Sequence, residues 1–481
     1  MNRMLISAAH KSSGKTMVSI GLCAAFTARG HDVQPFKKGP DYIDPMWLSL
    51  ASGNSCRNID PYLMDNEDIV ATFARHSTEI NLVEGNKGLY DGLALDGSNS
   101  NAAMAKLLDL PVMLVLDSRG MTRGIAPLIL GYQAFDKEIN IAGVILNNVG
   151  GSRHESKLRN IIEHYTDVKV IGAIYHDPRL SIDERHLGLM PSNESHVANA
   201  KVKQIGDAIA EQVDLDLLLR LSEKTSSPRS HKAEVSPLVS PVKIRIGIAR
   251  DRAFGFYYAD DLDALEAAGA ELVPFDTLQD AKLPKIDAMF IGGGFPETSA
   301  AELEANSSLR AEIKQAIENG MPTYAECGGL MYLSRGIEYQ GRNYQMVGAI
   351  PGDVKMHDKP VGRGYVHLSE DETHPWPRPG VAAKLIKAHE FHYSSLENLP
   401  ADSQFAYHVE RGYGIGNKRD GFVVHNLLAS YTHLRTIGSC YWATRFVASI
   451  RRHKDNIELK NEISRRACHD TKSILSSYRG F

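Results

Sequence analysis

The chain has 481 residues and a formal net charge of −4, from 54 lysines and arginines against 58 aspartates and glutamates. This length exceeds what one hydrophobic core usually supports, so two domains are expected. The balanced charge gives no broadly basic or acidic surface, which argues against nucleic acid or an anionic membrane as a partner. We therefore expect small-molecule partners.

The N-terminal segment MNRMLISAAHKSSGKT has an apolar run that a glycine-containing loop interrupts too early for a signal peptide or a membrane span. Five cysteines are scattered without a CxxC pair, which argues against a disulfide framework and a structural zinc site. They are Cys23, Cys56, Cys327, Cys440 and Cys468. A cytoplasmic location is expected, and a homodimer is compatible with this location because homodimers are common among cytoplasmic enzymes.

Residues 4–220 alternate short apolar runs with amphipathic helical stretches. The predicted strands are MLISAA, VQPF, INLVEG, PVMLVLD, IAGVILN and VKVIGAIY. Strands that alternate with helices in this way form βαβ units, and continuous apolar runs indicate strands that are buried on both faces. The fold class predicted for residues 1–220 is therefore α/β, with a doubly wound parallel sheet.

A phosphate-binding loop is predicted directly after the first strand. Its residues, which open a helix, are Ser12, Ser13, Gly14, Lys15 and Thr16. Backbone N–H groups at such a junction bind phosphate oxygens, the lysine reaches the terminal phosphates, and the Thr16 hydroxyl can bind Mg²⁺. The first glycine of the usual pattern is missing, because Ala8, Ala9 and His10 occupy that region.

Acidic residues follow two other predicted strands of the same sheet. They are Asp41 and Asp44 in KKGPDYIDP, and Glu84 and Asp91 in LVEGNKGLYDG. Singly, each would be read as a solvated loop residue or a helix cap. Because the carboxyl ends of parallel strands meet at one ligand-binding edge, Asp41 and Glu84 are predicted to bind one Mg²⁺ beside a triphosphate. Lys37 and Lys38 lie where positive charge could stabilise a transferring phosphoryl group, although one of them could be a surface lysine.

A second domain is predicted after a linker. Residues 221–241 are rich in Ser, Pro and charge, and we interpret them as that linker. A new series of apolar runs and helices occupies residues 242–449, and the sheet is again expected to be largely parallel. Residues 450–481 are charged and weakly apolar, and are predicted to form a C-terminal extension, as a surface helix or a partly ordered tail.

The second domain contains a candidate nucleophile. Cys327 lies in Tyr324-Ala325-Glu326-Cys327-Gly328-Gly329, between a strand-like run and a helical one. A sharp turn of this kind exposes a thiol at the start of a helix, where the thiolate is stabilised. His433 is the candidate base, with His389, His392 and His425 as alternatives. No acid follows His433 at short spacing, so the third member of the site is left open.

A glycine-rich turn follows the predicted strand DAMFI. The N–H groups of Gly292, Gly293 and Gly294 could form an oxyanion hole, and Gly293 and Gly294 are the preferred pair. A glycine-rich loop alone is weak evidence for such a site.

The chain resembles the cobyrinic acid a,c-diamide synthase family over about residues 1–445. The matching stretches are SSGKT, FKKGPDYIDP, EGNKGLYDG, DERHLGLMP (183–191), FIGGGFPE, AECGGLMYL, HEFHYS and SYTHL. The resemblance implies a first domain similar to dethiobiotin synthetase and a second of the class I glutamine amidotransferase type. It implies a ligase that uses ATP, Mg²⁺ and glutamine to convert the a- and c-acetate groups of a tetrapyrrole to amides through an acyl phosphate.

The resemblance also implies roles for individual residues. Cys327 would be the glutaminase nucleophile and His433 its base. Lys15, Thr16, Asp41 and Glu84 would bind ATP and Mg²⁺, with Lys37 near the phosphates. The residues implied to hold the tetrapyrrole or its phosphorylated form are Tyr42, Ile43, Asp44 and Asp91.

Three alternatives stay open at this point. The family pattern has Val-Met where this chain has Asn86-Lys87, which fits a relative that amidates sirohaem or sirohydrochlorin at least as well. The enzyme could act on a non-tetrapyrrole acid, and retention of a coloured macrocycle would distinguish the two. A non-catalytic P-loop switch is the third alternative, and the intact Cys327 and His433 argue against it.

Overall fold

The computed structural model describes residues 1–185, 188–194, 196–224, 244–378, 385–437 and 440–477. For residues 184, 185, 188 and 460–477 it describes the backbone alone. The chain divides into two compact units, Met1–Glu234 and Val235–Phe481.

The first unit contains a parallel sheet flanked by helices. Its strands are β1 (Asn2–Ala8), β2 (Val33–Lys38), β3 (Arg57–Ile59), β4 (Ile80–Glu84), β5 (Val112–Asp117), β6 (Ile141–Val149), β7 (Lys169–Tyr175), β8 (Glu184–Arg185) and β9 (Gly188–Leu189). Its helices are α1 (Lys15–Ala28), α2 (Ile43–Ser52), α3 (Asn66–His76), α4 (Asn101–Leu108), α5 (Ile125–Phe135), α6 (Ser152–Tyr165), α7 (Ala198–Gln212) and α8 (Leu215–Ser222), with a 3₁₀ turn at Pro178–Leu180.

The seven-stranded sheet of this unit has the order β3-β2-β4-β1-β5-β6-β7. Every pairing in it is parallel, so the carboxyl ends of β1, β2 and β4 meet at one edge. The apolar runs predicted as strands all form strands here. The short edge strand β3 was not predicted, because its sequence Arg-Asn-Ile contains one apolar residue.

Helices α1 and α7 pack closely in the core of the first unit. A Cβ atom at Gly21 would lie 2.2 Å from Cγ1 of Ile209, and one at Gly206 would lie 2.8 Å from Cβ of Ala24. The two glycines therefore let the helix backbones approach each other. This contact helps to hold α1, the helix that the phosphate loop opens.

The second unit is built on a mixed sheet. Its strands are β10 (Ile244–Ala249), β11 (Phe254–Phe256), β12 (Ala270–Phe275), β13 (Ala288–Ile291), β14 (Gly293–Gly294), β15 (Thr323–Glu326), β16 (Gly336–Tyr339), β17 (Arg342–Gln345), β18 (Asp353–Met356), β19 (Gly362–Glu370), β20 (Ile386–His392), β21 (Ser394–Glu397), β22 (Gln404–Arg411), β23 (Arg419–Val424) and β24 (Leu427–Ser430). Its helices are α9 (Ala259–Ala267), α10 (Ala300–Ala305), α11 (Ser307–Glu318), α12 (Gly328–Leu333) and α13 (Trp442–Ser477), with a 3₁₀ turn at Pro296–Ser299.

The nine-stranded sheet of the second unit has the order β12-β10-β13-β15-β24-β23-β22-β19-β20. The pairings from β12 to β24 are parallel. Those from β24 to β20 are antiparallel, so the expectation of a largely parallel sheet holds for one half. Neighbouring residues of β13 enter two different cores, Phe290 on one face and Ile291 on the other.

Two predicted boundaries fall inside helices. The predicted linker 221–241 begins within α8, and its residues from 225 onward lie outside the described part of the chain. The predicted start of the C-terminal extension at residue 450 lies within α13. Phe446, Val447 and Ile450 are fully buried in the second core, so the first turns of α13 belong to that unit.

Candidate active site

The first candidate site begins at the junction between β1 and α1. The backbone turns at Gly14, the N-cap of α1, with a φ of 91° that favours glycine. Asn147, on β6, donates a hydrogen bond from Nδ2 to the carbonyl oxygen of Ser13 at 2.9 Å. The predicted phosphate residues Ser12, Ser13, Gly14, Lys15 and Thr16 therefore form one loop and helix start. Sequence reasoning did not identify Asn147, which comes from a strand that follows the loop by more than a hundred residues.

Lys37 lies at the centre of a group of carboxylates. Its Nζ is 2.5 Å from Oδ2 of Asp44, 3.0 Å from Oε1 of Glu84 and 3.7 Å from Oδ2 of Asp41. The Thr16 hydroxyl donates to Oε1 of Glu84 at 2.7 Å and to Oδ2 of Asp44 at 3.3 Å. The structure thus brings together the predicted metal residues Thr16, Asp41 and Glu84, and adds Asp44, which had been predicted as a substrate residue.

Burial and like charge shape the ionisation of this group. Burial raises the pKa of Asp41 to about 7, with the nearby Asp44 adding to the rise. Burial also raises the pKa of Glu84, against the opposing charge of Lys37. Burial would lower the pKa of Lys37, but Asp44, Glu84 and Asp41 outweigh it and raise that pKa well above its usual value. Burial lowers the pKa of Lys15, against the charge of Glu84.

The crowded carboxylates suit a divalent cation. Oε2 of Glu84 is fully buried, and no residue in the described part of the chain offers it a hydrogen bond. An unsatisfied buried carboxylate oxygen beside a threonine hydroxyl is the hard oxygen chemistry that Mg²⁺ prefers. The residues present therefore fit Mg²⁺.

The remaining predicted substrate residues lie around the start of α2 and in the loop after β4. Oδ1 of Asp41 accepts hydrogen bonds from the backbone N–H groups of Ile43 at 2.9 Å and Asp44 at 3.1 Å, so Asp41 also acts as a helix cap. Tyr42 and Ile43 are buried. Asp91 is exposed and accepts a hydrogen bond from the Gly88 N–H at 2.9 Å, which shapes its own loop.

Lys38 is buried beside Lys37, so neither lysine is the surface residue that sequence reasoning allowed for. Its Nζ donates to Oδ1 of Asn86 at 2.9 Å. Burial lowers the pKa of Lys38 to about 8, although the charge of Asp60 opposes this. The Asn86 position, noted above for its departure from the family pattern, is thus tied to the edge of the sheet.

The motif DERHLGLMP contacts α2 through Met190. The indole N–H of Trp47 donates to the carbonyl oxygen of Met190 at 2.8 Å. Residues 186 and 187 of the motif lie outside the described residues.

The second candidate site is built on the turn between β15 and α12. Cys327 is the N-cap of α12 and has a φ of 47°, a left-handed conformation that is uncommon for residues other than glycine. Its backbone N–H donates to the carbonyl oxygen of Ser430 at 2.7 Å, which links the turn to β24. Such strain at a nucleophile is maintained by the surrounding packing. Cys327 is 7 % exposed.

His433 lies beside this thiol, and its side chain interacts with that of Cys327. Nδ1 of His433 is 3.0 Å from Oε2 of Glu326, the residue directly before Cys327. Burial would lower the pKa of His433, but the hydrogen bonds to Cys327 and Glu326 outweigh it and raise that pKa to about 10. Sequence reasoning looked for an acid after His433 and missed Glu326, although its place at the end of an apolar strand marked it.

The alternative histidines occupy other positions. Nδ1 of His392 is 2.7 Å from the carbonyl oxygen of Ser394, and its ring stacks on Tyr431 at 3.9 Å. Burial lowers the pKa of His389 to about 3. His425 lies in the turn between β23 and β24. His433 is the histidine whose pKa the Cys327 side chain shifts upward.

The predicted oxyanion residues adjoin the same turn. A Cβ atom at Gly293 would lie 2.8 Å from Cε1 of His433. A Cβ atom at Gly328 would lie 2.9 Å from the backbone N of Gly294. Gly293 therefore lies beside His433, and Gly294 lies beside the turn that follows Cys327. The role of both residues as oxyanion donors stays a prediction.

Two family models match the two units. Residues 5–189 match the CobQ/CobB/MinD/ParA nucleotide binding domain. Residues 245–439 match the CobB/CobQ-like glutamine amidotransferase domain. In the part of the chain that the structure describes, no helix combines the length and apolar character needed to cross a membrane.

Three curated relatives match nearly the whole chain, and each is a cobyrinate a,c-diamide synthase. The protein of Magnetococcus marinus is 44 % identical over 92 % of this chain and 95 % of its own length. The protein of Methanosarcina barkeri is 41 % identical over 94 % and 97 %, and that of Methanosarcina acetivorans 43 % identical over 90 % and 92 %. The chain belongs to the cobyrinate a,c-diamide synthase family.

This membership confirms the family resemblance and the fold class predicted from the sequence. It also confirms the prediction of a glutamine-dependent ligase with a nucleotide-binding first domain. The two family models thus cover the two candidate sites described above, one in each unit.

Proposed function

We propose that this protein amidates the a- and c-acetate carboxylates of cobyrinic acid, using ATP and taking ammonia from glutamine. We assign glutamine hydrolysis to the site of Cys327 and His433, within residues 242–449. We assign carboxylate activation to the site of Lys15 and Lys37, within residues 1–220. The observation that carries the proposal is the buried His433 ring, held at Nδ1 by Glu326 directly beside the turn that carries Cys327, in a member of this family.

At the glutaminase site, His433 takes the proton of the Cys327 thiol, and the sulfur attacks the side-chain amide carbon of glutamine. The N–H groups of Gly293 and Gly294 are proposed to stabilise the oxyanion of the tetrahedral intermediate. His433 gives its proton to the leaving nitrogen, so ammonia departs and a thioester remains. Water then hydrolyses the thioester, which releases glutamate and restores the thiol.

At the nucleotide site, a substrate carboxylate attacks the γ-phosphorus of ATP, giving an acyl phosphate and ADP. Ammonia attacks the acyl carbon, and inorganic phosphate leaves as the amide forms. Lys15 and Lys37 stabilise the charge on the transferring phosphoryl group. Thr16, Asp41 and Glu84 would hold Mg²⁺, which would neutralise phosphate charge when bound. We propose that Tyr42, Ile43, Asp44 and Asp91 hold the substrate or its phosphorylated form.

The proposal is tested with purified protein, ATP, magnesium chloride and glutamine, offered with cobyrinic acid and, separately, with sirohaem. Mass spectrometry reports whether carboxylates are converted to amides. The Cys327→Ala variant is expected to lose amidation from glutamine and to keep amidation from ammonium chloride. Cys440→Ala, a buried cysteine of the same unit, is the matched control and is expected to keep both activities.

Conversion of sirohaem but not of cobyrinic acid would support the proposed amidation reaction and would contradict cobyrinic acid as its substrate. Glutamine hydrolysis without conversion of either macrocycle would contradict the assignment of a tetrapyrrole substrate. Absence of glutamine hydrolysis in the unsubstituted protein would contradict the role given to Cys327.

A further inference from the structure

The side chain of Glu326 is held in one orientation by contacts on both of its oxygens. Oε2 lies 3.0 Å from Nδ1 of His433. Oε1 accepts hydrogen bonds from the Tyr324 hydroxyl at 2.6 Å and from the backbone N–H of Leu434 at 3.0 Å. The Glu326 side chain is 4 % exposed, so the carboxylate is removed from bulk water. Glu326 therefore contacts the His433 ring and the peptide group that follows it.

This contact selects one form of the imidazole. An ionised carboxylate can only accept a hydrogen bond, so Nδ1 of His433 must carry the proton that faces Glu326. Nε2 is then the ring nitrogen that can exchange a proton with the Cys327 thiol. When it takes that proton, the ring becomes an imidazolium with a carboxylate at hydrogen-bond distance.

The charged and titratable groups around His433 come from three elements. Glu326 ends β15, Cys327 begins the turn into α12, and His389 lies on β20 with its ring centroid 6.4 Å from that of His433. Burial lowers the pKa of His389 to about 3, so His389 is neutral at physiological pH. Burial lowers the pKa of His433, but the contacts of its side chain with Cys327 and Glu326 outweigh burial and raise that pKa.

We propose that Glu326 is a positioning residue of the glutaminase site, which orients His433 and stabilises its protonated form. The inference rests on the function proposed above for Cys327 and His433. Glu326 would be the third, acidic member of the glutaminase site, which the sequence left open. It directly precedes Cys327 and does not come from the segment after His433.

A second buried carboxylate offers a matched comparison. Asp420, on β23, accepts hydrogen bonds from the backbone N–H groups of Tyr431 at 3.1 Å and Thr432 at 3.0 Å. It supports the same segment through the backbone, just before His433. Replacing Asp420 therefore measures the loss of stability when a buried carboxylate is removed from this segment. Replacing Glu326 has this effect and also removes the hydrogen-bond partner of the His433 ring.

The test compares Glu326→Gln with Asp420→Asn in glutamine hydrolysis measured from pH 6 to about pH 11. Glu326→Gln is expected to lower kcat by about 10²-fold to 10⁴-fold with a small change in KM, as expected when the partner of a catalytic histidine is neutralised. The alkaline limb of its kcat–pH profile is expected to move at least one pH unit toward neutral, because the imidazolium of His433 loses the negative charge that stabilises it. Amidation with ammonium chloride is expected to stay within about twofold of the unsubstituted enzyme.

Asp420→Asn is expected to lower the midpoint of thermal unfolding and to leave the alkaline limb in place. Glu326→Asp, which keeps the charge at a longer distance, is expected to recover part of kcat with the limb near its original pH. If Glu326→Gln does not fold, the pH profile of Glu326→Asp decides the question. Because this variant keeps the negative charge, a shift of its alkaline limb by as much as one pH unit would contradict the proposed effect of charge.

An unchanged alkaline limb in folded Glu326→Gln, or a kcat within about threefold of the unsubstituted enzyme, would overturn the proposal. Failure of the unsubstituted enzyme to hydrolyse glutamine would instead overturn the proposed function. The two outcomes therefore distinguish the role of Glu326 from the function proposed for the site.

Discussion

The Thr16 hydroxyl donates a hydrogen bond of 2.7 Å to Glu84, a residue 68 positions further along the chain. This contact joins the start of α1 to the end of β4 and places a carboxylate beside the proposed phosphate loop. The same Oε1 of Glu84 also accepts a hydrogen bond from Lys37 at 3.0 Å. Glu84 is therefore the residue whose replacement best tests the nucleotide site.

Glu84→Gln is expected to lower ATP-dependent amidation with ammonium chloride by about 10²-fold or more, because it removes charge that Mg²⁺ would meet. Higher magnesium concentrations should recover part of this loss, while glutamine hydrolysis should not change. The control is Glu79→Gln. Glu79 pairs with His31, and the Glu79 side chain is 53 % exposed. An equal loss in both variants would contradict a specific role for Glu84.

Gly14→Ala is expected to weaken ATP binding by at least about tenfold, measured by calorimetry. An added Cβ would lie 2.1 Å from Nδ2 of Asn147, which holds the loop carbonyl of Ser13. Gly30→Ala is the control, since Gly30 has a similar φ of 87° but no atom of the described chain within 4 Å of the added Cβ. Both variants carry roughly 1–2 kcal/mol of backbone strain, so a difference in ATP affinity isolates the clash. Equal affinities would show that the loop tolerates the added methyl group.

Trp442→Ala is expected to lower the free energy of unfolding by about 3–5 kcal/mol, because it empties a large volume in the second core. Trp442 is fully buried, with its ring centroid 4.8 Å from that of Tyr324. Tyr441→Ala, at the neighbouring position, removes a side chain that is 56 % exposed and is expected to cost much less. Urea denaturation followed by tryptophan fluorescence and circular dichroism provides the comparison. Similar costs at both positions would mean that α13 does not complete the core.

His374 is expected to make the protein less stable as the pH falls from about 6.5 toward 3. Burial lowers its pKa to about 3 from an ordinary value of 6.5, so the unfolded chain binds a proton in this window that the folded chain does not. The free energy of unfolding should therefore fall by up to about 1.4 kcal/mol per pH unit from this group. His389 acts in the same direction, since burial lowers its pKa to about 3 as well.

His374→Gln should accordingly flatten the acid side of the stability profile without abolishing its slope. Denaturant titrations at several pH values measure this, with His196→Gln at an exposed position as the control. A slope identical to that of the unsubstituted protein would show that His374 becomes protonated in the folded state.

The strands of the first unit were predictable because their residues are almost all apolar and face a core on both sides. β3 was not predictable, since its three residues follow no pattern and form a strand only by pairing with β2 at the sheet edge. The helices α10 and α11 are separated at Asn306, whose side chain caps α11. A local polar side chain thus decided a boundary that hydrophobic periodicity does not mark.

At the candidate sites, the sequence identified side chains but not their mutual contacts. Lys37, Asp41 and Glu84 were expected at one edge because parallel strands end together. That Asp44 joins them depends on the first turn of α2, and sequence reasoning had given Asp44 another role. Glu326 was overlooked because its partner His433 comes from beyond β24, and the register of β24 against β15 is a tertiary property.

The pairing of β15 with β24 also has a consequence for biosynthesis. Glu326 and His433 are 107 residues apart in the chain, so they meet only after a long intervening segment has been synthesised and folded. A nascent chain carries the thiol and its neighbouring acid well before it carries the base. If Cys327 and His433 have the roles proposed above, glutamine hydrolysis requires the completed sheet of the second unit.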